Sequence, residues 1–200
     1  MSDALLDAAI AQFGEHGFAA ASTRAIAAQA ATAMSTITYR YGGKEGLYLA
    51  AAGHIADAIG ARLAPALARG GDDPVERACA IVNGFAVLMM SEASGAWARF
   101  IMREQMAPTA AFDRLWDGAM RPALEEMARC VTAAADERDP AAARLTALTL
   151  MGQALIFRAA RASVLRALDR DALEPDHVAP ILARLDINVR AILAATPESR

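Results

Sequence analysis

Alanine supplies 52 of the 200 residues, and no other feature restricts the fold of this chain as much. Alanine has the highest helix propensity of any residue and is depleted in strands, so nearly every segment starts with a bias toward helix. Glycine (13) and proline (8) are few enough to act as punctuation rather than background. The apolar residues recur at three- and four-residue steps, with no alternating run and no hairpin signal. The expected fold class is all-α. With 56% hydrophobic and 22% charged residues, global disorder is excluded. A chain of this length buries roughly 70% of its unfolded surface, so it needs neither disulfide nor metal to fold.

The punctuation divides the chain. Leu6, Ile10 and Phe13 share one face of a first helix, and Gly17 suits its end, because glycine enters the left-handed conformation without a Cβ penalty. Phe18 follows as a core anchor. Ser22 can cap a short second helix, Thr23–Ala30, whose inner face carries Ile26 and Ala30. Residues 31–34 read as a turn, Ser35–Tyr41 as a third short helix, and Gly42-Gly43 as its break. A long helix is expected from Lys44 to about Ala68. Asp73-Pro74, Asp139-Pro140 and Glu174-Pro175 each place an acid before a proline at the first helical position, which is a helix start. One long helix is expected from Pro140 to about Leu168, and Pro122 should kink or divide Ala110–Asp136. The total is about nine helices: three short ones, a connector and about five in a larger bundle.

Helix, four-residue turn and short helix make a helix-turn-helix plan, whose second helix must show polar side chains to a DNA major groove and apolar ones to a small core. Ser35-Thr36-Ile37-Thr38-Tyr39-Arg40-Tyr41 meets that requirement. Ile37 and Tyr41, four apart, turn inward; Ser35, Thr36, Tyr39 and Arg40 turn out, with Thr38 at the margin. Hydroxyls and an arginine reach both base edges and phosphates. Lys44, the only lysine in the chain, opens the next helix, where free N–H groups and a partial positive charge suit a phosphate. Thr23 and Arg24 open the preceding helix and are placed to grip the backbone from the other side. Against this stands charge. The formal net charge is −3, and residues 1–50 hold three cations, Arg24, Arg40 and Lys44, against four acids. Affinity for DNA usually rests on basic density, so a helical protein that meets a protein partner is the rival reading.

Other chemistry finds little support. There is no phosphate loop, dinucleotide fingerprint, nucleophile elbow or zinc spacing. His16, His54 and His177 are far apart, and Glu125-Glu126 point about 100° apart on a helix, so no catalytic or metal site and no cofactor is expected. Cys79 and Cys130 sit in apolar helical context and read as inert core thiols rather than a redox switch. No basic leader precedes an apolar run, and the longest apolar stretch, Ile81–Met90, is too short for a bilayer. A reducing cytoplasmic setting with no membrane partner is the expectation.

The order Leu5-Leu6-Asp7-Ala8-Ala9, Phe13, Gly17-Phe18, Ser22-Thr23-Arg24-Ala25-Ile26-Ala27, then Ile37-Thr38-Tyr39-Arg40-Tyr41-Gly42-Gly43-Lys44-Glu45-Gly46-Leu47-Tyr48 resembles the N-terminal domain of TetR-family regulators. Phe100-Ile101-Met102-Arg103-Glu104-Gln105 with Pro108-Thr109-Ala110-Ala111-Phe112-Asp113, and Gly152 to Arg161, resemble the CecR-like branch. Three residues depart from the pattern. Ala31 stands where glycine is common, so the turn is expected to differ locally. Ala25 replaces an acid, removing a capping box. Gly43 stands where Ser or Asn usually caps, a loss of a few tenths of a kcal/mol.

The resemblance implies a helix-turn-helix DNA-binding domain at residues 1–48 and a ligand-binding and dimerisation domain at 49–200. It implies a homodimer that reads a palindromic operator on double-stranded DNA, most often as a repressor released by a small, largely apolar effector, and no enzymatic activity. The connector helix is then the lever between the domains. The pocket residues it suggests are Trp97, Phe100, Arg103, Gln105, Met106, Phe112, Trp116 and Met120, an aromatic and methionine set with a few polar groups. The dimer surface it suggests lies on the last two long helices, at Leu148, Gly152, Leu155 and Ala159 and at Ile181, Leu185 and Ile192.

Overall fold

The structure is a computed structural model and describes residues 4–69, 71–92 and 94–195. The described residues form eleven α-helices and no strand: α1 (Ala4–Ala20), α2 (Thr23–Gln29), α3 (Met34–Tyr41), α4 (Lys44–Arg69), α5 (Pro74–Met90), α6 (Ser94–Met106), α7 (Ala110–Leu115), α8 (Arg121–Ala135), α9 (Pro140–Ala159), α10 (Arg161–Ala167) and α11 (Pro175–Ala194). A π-helical turn, Trp116–Met120, joins α7 to α8. The all-α class is as expected, but the helix count is higher, for two local reasons. The segment expected to run unbroken to Leu168 stops at Ala160, whose backbone (φ −119°, ψ 34°) leaves the helical region. The division expected near Pro122 falls just before it, as the π turn, where proline cannot donate the next backbone hydrogen bond.

The helices form two compact units, Met1–Gly60 with Glu92–Met120, and Ala61–Ser91 with Arg121–Arg200. In the first, α1, α2 and α3 close over Ile10, Phe13, Ile26 and Ile37, none more than 2% exposed. Gly17, with φ at 77°, breaks the end of α1 as its position requires. The Ser22 hydroxyl accepts from Ala25 N at 3.4 Å and starts α2. Gly42, with φ at 72°, ends α3 and donates to Thr38 O at 3.0 Å. The tightest point is Gly46, where a Cβ would lie 1.8 Å from the Tyr41 carbonyl oxygen, so α4 can leave α3 at this angle only with glycine there. Helices α6 and α7 pack with this unit. Gly14 of α1 brings α6 close, a Cβ there lying 3.1 Å from Ala96 O.

The second unit packs α5, α8, α9 and α11 around Ala78, Ile81, Val82, Met127, Val131, Ala147, Leu150 and Val189. Asp73 caps α5, accepting from Val75 N at 2.8 Å, and Asp139 caps α9, accepting from Ala141 N at 2.9 Å. Gly84 of α5 meets α4, where a Cβ would come within 2.5 Å of the Ala66 methyl. Helix α9 has the length and mean hydropathy of a membrane span, with only 22% of that stretch buried. Its apolar character serves two faces. Ala143, Ala147, Leu150 and Ala154 are buried in the bundle, while Leu145, Leu148, Leu155 and Ile156 are 46–63% exposed.

The turn between α2 and α3 corrects one expectation. It does not avoid the left-handed conformation at Ala31; it adopts it, with φ at 50°. Thr32 N donates to Ala27 O at 2.9 Å, and the Thr32 and Thr36 hydroxyls bond at 3.1 Å, so the turn is held from both sides. The methyl group therefore carries strain that glycine would lack. Ala31→Gly is expected to raise the stability of this unit by up to about 1 kcal/mol, read as a higher thermal midpoint. A lower midpoint would show that the turn carries no such strain.

Candidate nucleic-acid interface

Helix α3 is short and has one buried apolar contact, Ile37 at 2% exposure. The rest of the helix lies at or near the surface. Ser35, Thr38, Tyr39 and Arg40 are exposed, and Tyr39, at 92%, is almost fully so. Thr36 is half-buried, because its hydroxyl is shared with Thr32, and Tyr41 is half-buried beneath Arg40, whose guanidinium lies 5.1 Å from the ring centre. At the start of α2, Arg24 is exposed and Thr23 half-buried. One side of α3 thus offers hydroxyls, a phenol and a guanidinium, which is donor and acceptor chemistry for base edges and phosphates.

Lys44 begins α4, but its ammonium is not loose. Nζ donates to Ala19 O at 3.0 Å and stands 5.1 Å from the centre of the Phe18 ring. The cation is therefore parked beside the end of α1, at the rim of the same surface.

The same unit holds a cluster centred on Tyr48 and Glu104, to neither of which the sequence reading gave a role of its own. The Tyr48 ring packs edge-on to Phe13 at 4.8 Å, against Phe18 at 5.1 Å and in a stack with Phe100 at 4.7 Å. Its hydroxyl donates to Glu104 Oε1 at 2.6 Å. Glu104 is 2% exposed, and its other oxygen accepts from Thr109 N at 3.0 Å and Thr109 Oγ1 at 2.9 Å. Burial first, and then the neighbouring carboxylate, push the Tyr48 phenol above its ordinary range. The adjacent Arg103 reaches the other way, from Nε to Gly14 O at 2.9 Å and from Nη2 to Glu15 O at 2.7 Å. Glu104 falls in the stretch that carries the CecR-like resemblance, but a lone acid in a helix ordinarily reads as solvated, so its burial was not legible.

The eight suggested pocket residues sit in different settings. Phe100 is fully buried in the aromatic stack, and Arg103 is committed to the end of α1. Met106 is 84% exposed, and Phe112 stacks on Trp116 at 6.3 Å. Gln105 touches Met120, and Trp97 is half-buried. A hollow of about 580 Å³ beside α4 and α7 is lined by Gly53, Asp57, Asp113, Arg114, Asp117 and Gly118, among others, and by none of the eight.

Among the suggested interface residues, Leu148, Gly152, Leu155 and Ala159 on α9 and Ile192 on α11 are exposed, and Ile181 is half-buried. Leu185 is instead 4% exposed and belongs to the core of its own unit, because the inward face of α11 runs through Leu185, Val189 and Leu193.

A short exposed reading helix on a three-helix core, followed by a long connector, defines a helix-turn-helix regulator. The comparisons agree. Residues 5–51 match the domain of bacterial regulatory proteins of the tetR family, and residues 74–196 match the C-terminal domain of the HTH-type transcriptional dual regulator CecR. The chain is 35% identical to the HTH-type transcriptional dual regulator CecR of Shigella flexneri over 176 residues, covering 80% of this chain and 77% of that one. This protein belongs to the TetR family of transcriptional regulators, with a CecR-type C-terminal domain. Solved structures share the fold. A TetR-like transcriptional regulator from Rhodococcus sp. RHA1 superposes with a TM-score of 0.65 at 23% identity, over 94% of this chain and 93% of that one. The regulator FadR from Bacillus subtilis, solved with stearoyl-CoA, gives 0.66 at 14% identity over 95% and 96%.

Both cysteines are buried free thiols, each pushed up to about 11, chiefly by burial. Near pH 7 neither is expected to react with a maleimide until the chain unfolds. Labelling of the folded protein at the rate of a free thiol would overturn this.

Proposed function

We propose that this regulator is a homodimer that represses transcription by reading a palindromic operator through α3 and releases it when a small, largely apolar effector binds. The observation that carries the reading is the outward face of α3, with Tyr39 92% exposed beside Ser35, Thr38 and Arg40. Residues 1–48 do the reading, and residues 49–200 bind the effector and pair the subunits. Two symmetric half-sites about 34–36 Å apart suit such a dimer. Support for pairing comes from the second face of α9, where Leu145, Leu148, Leu155 and Ile156 are too apolar and too exposed to be left to water in a monomer. The exposed Gly152 lets a second helix approach closely. Support for an apolar effector is the acyl-CoA bound to the FadR neighbour. The effector acts through its differential affinity for two spacings of the reading heads, with α4, one helix from Lys44 to Arg69, as the lever. The protein is assigned to a reducing cytoplasm and given no enzymatic role.

The test is fluorescence anisotropy with DNA from upstream of the gene, against scrambled DNA, at two salt concentrations. Tight binding that needs the palindrome and weakens with salt is expected; no preference over scrambled DNA at this or neighbouring promoters would overturn the reading. Lys44→Ala is expected to weaken binding about equally on all sequences, and Arg40→Ala to weaken the operator more than scrambled DNA. An unchanged ratio would make Arg40 a phosphate contact only.

For the pairing face, Leu148→Glu is expected to shift the protein toward monomer in sedimentation, with an unchanged helical spectrum. A variant that stays dimeric would move the interface elsewhere.

A further inference from the structure

We propose that Glu104 is a positioning residue for DNA reading: through Tyr48 it fixes the first turns of α4, and with them the orientation of the recognition helix α3. The proposal rests on the operator-reading function above. Four observations carry it. The carboxylate is 2% exposed, and both its oxygens are engaged, by the Tyr48 hydroxyl at 2.6 Å and by Thr109 at 3.0 and 2.9 Å. Tyr48 lies one helical turn after Lys44, and its ring touches Phe18, the same ring that Lys44 stands over. Gly46, between them, is pressed on the carbonyl of Tyr41, the last residue of α3, so a shift of this turn is passed to α3. Arg103, adjacent to Glu104, holds the α1 carbonyls of Gly14 and Glu15. Two consecutive residues of α6 thus hold α4, which follows the reading helix, and α1, which packs on α2 before it.

The physical reason is directional. Aromatic packing restrains a helix loosely, because rings slide over one another at little cost. A buried carboxylate does not allow sliding. If α4 rolled or slid, Glu104 would lose its phenol donor where no water replaces it. The hydrogen bond therefore selects one orientation of α4 among the several that the ring cluster would accept.

Three variants test this. Tyr48→Phe deletes only the hydroxyl. Glu104→Gln keeps all three links, since its amide can donate to the Tyr48 oxygen while its carbonyl accepts from Thr109. Tyr48→Phe with Glu104→Leu removes the phenol and the carboxylate together; it costs the two Thr109 hydrogen bonds but leaves no unpaired buried carboxylate, the larger penalty of the single change. Each is measured by thermal midpoint and by anisotropy on scrambled DNA and on operators whose half-sites are moved by one or two base pairs. Tyr48→Phe and the double variant are expected to lose about tenfold on the native operator and to flatten the preference for native spacing, with scrambled DNA unaffected. Glu104→Gln is expected to retain the wild-type preference. If wild type prefers its operator and the double variant keeps both that affinity and that spacing preference, positioning is overturned and operator reading stands. A loss equal on operator and scrambled DNA that follows the thermal midpoint overturns positioning in favour of a merely structural role. If wild type itself does not distinguish operator from scrambled DNA, operator reading fails and the proposal fails with it.

Discussion

The hydrogen bond between Tyr48 and the buried Glu104 is the contact on which the reading head depends. It joins α4 to α6, and Tyr48 carries Phe13, Phe18 and Phe100 around its ring, so one residue touches α1, α4 and α6 at once. A three-helix domain of about fifty residues buries too little apolar surface to be rigid alone. Here α6 and α7 complete it. Gly14 allows α6 to approach α1, and Gly118 allows the π turn to approach Ala56 of α4, where a Cβ would come within 2.8 Å of the Ala56 methyl. The head is thus built partly from residues some fifty positions away in the chain.

Composition explains the manner of packing. Alanine and glycine bring helix axes close: a Cβ at Gly14, Gly46, Gly84 or Gly118 would press on a backbone oxygen or an alanine methyl of the neighbouring helix. Apolar contacts of this kind have little directional preference. Specific orientation then has to come from polar groups, and the arginines supply much of it. Arg103 donates to the carbonyls of Gly14 and Glu15 near the end of α1. Arg158 does the same at the end of α5, donating to the carbonyls of Met89 and Ser91. A guanidinium suits this work because its planar fork can satisfy two carbonyls at once.

How much was legible in the sequence follows from which signals are local. Helix ends were legible because glycine and capping side chains act within a few residues: Gly17, Ser22, Gly42, Asp73 and Asp139 all do what their positions imply. The outward face of α3 was legible because one buried residue, Ile37, fixes its phase. Whether an aromatic lines a pocket was not legible, because at helical spacing it looks the same lining a cavity or filling a core; Phe100 is fully buried against Tyr48. Leu185 and Leu148 are likewise identical in sequence terms, and only the phase of each helix against its neighbours sends one inward and leaves the other exposed. The strained turn at Ala31 was misjudged because turn geometry is set by the helices it joins, which outweigh about 1 kcal/mol of backbone preference.

Charge and rigidity are connected in this protein. The first fifty residues hold three cations, and Lys44 is already engaged with Ala19 O and the Phe18 ring. Counterion release scales with the number of phosphates neutralised, so a domain this poor in cations can draw only modest affinity from that source. Under the function proposed above, what remains is the fit of hydroxyls, a phenol and one guanidinium to base edges, and such contacts lose their value within fractions of an ångström. A reading head rich in basic residues tolerates wobble, because charge attracts over a Debye length. A head this poor in charge does not. The buried carboxylate behind Tyr48 and the glycine pressed against Tyr41 are therefore more than fold details. They fix the orientation that affinity must draw on when charge supplies so little of it.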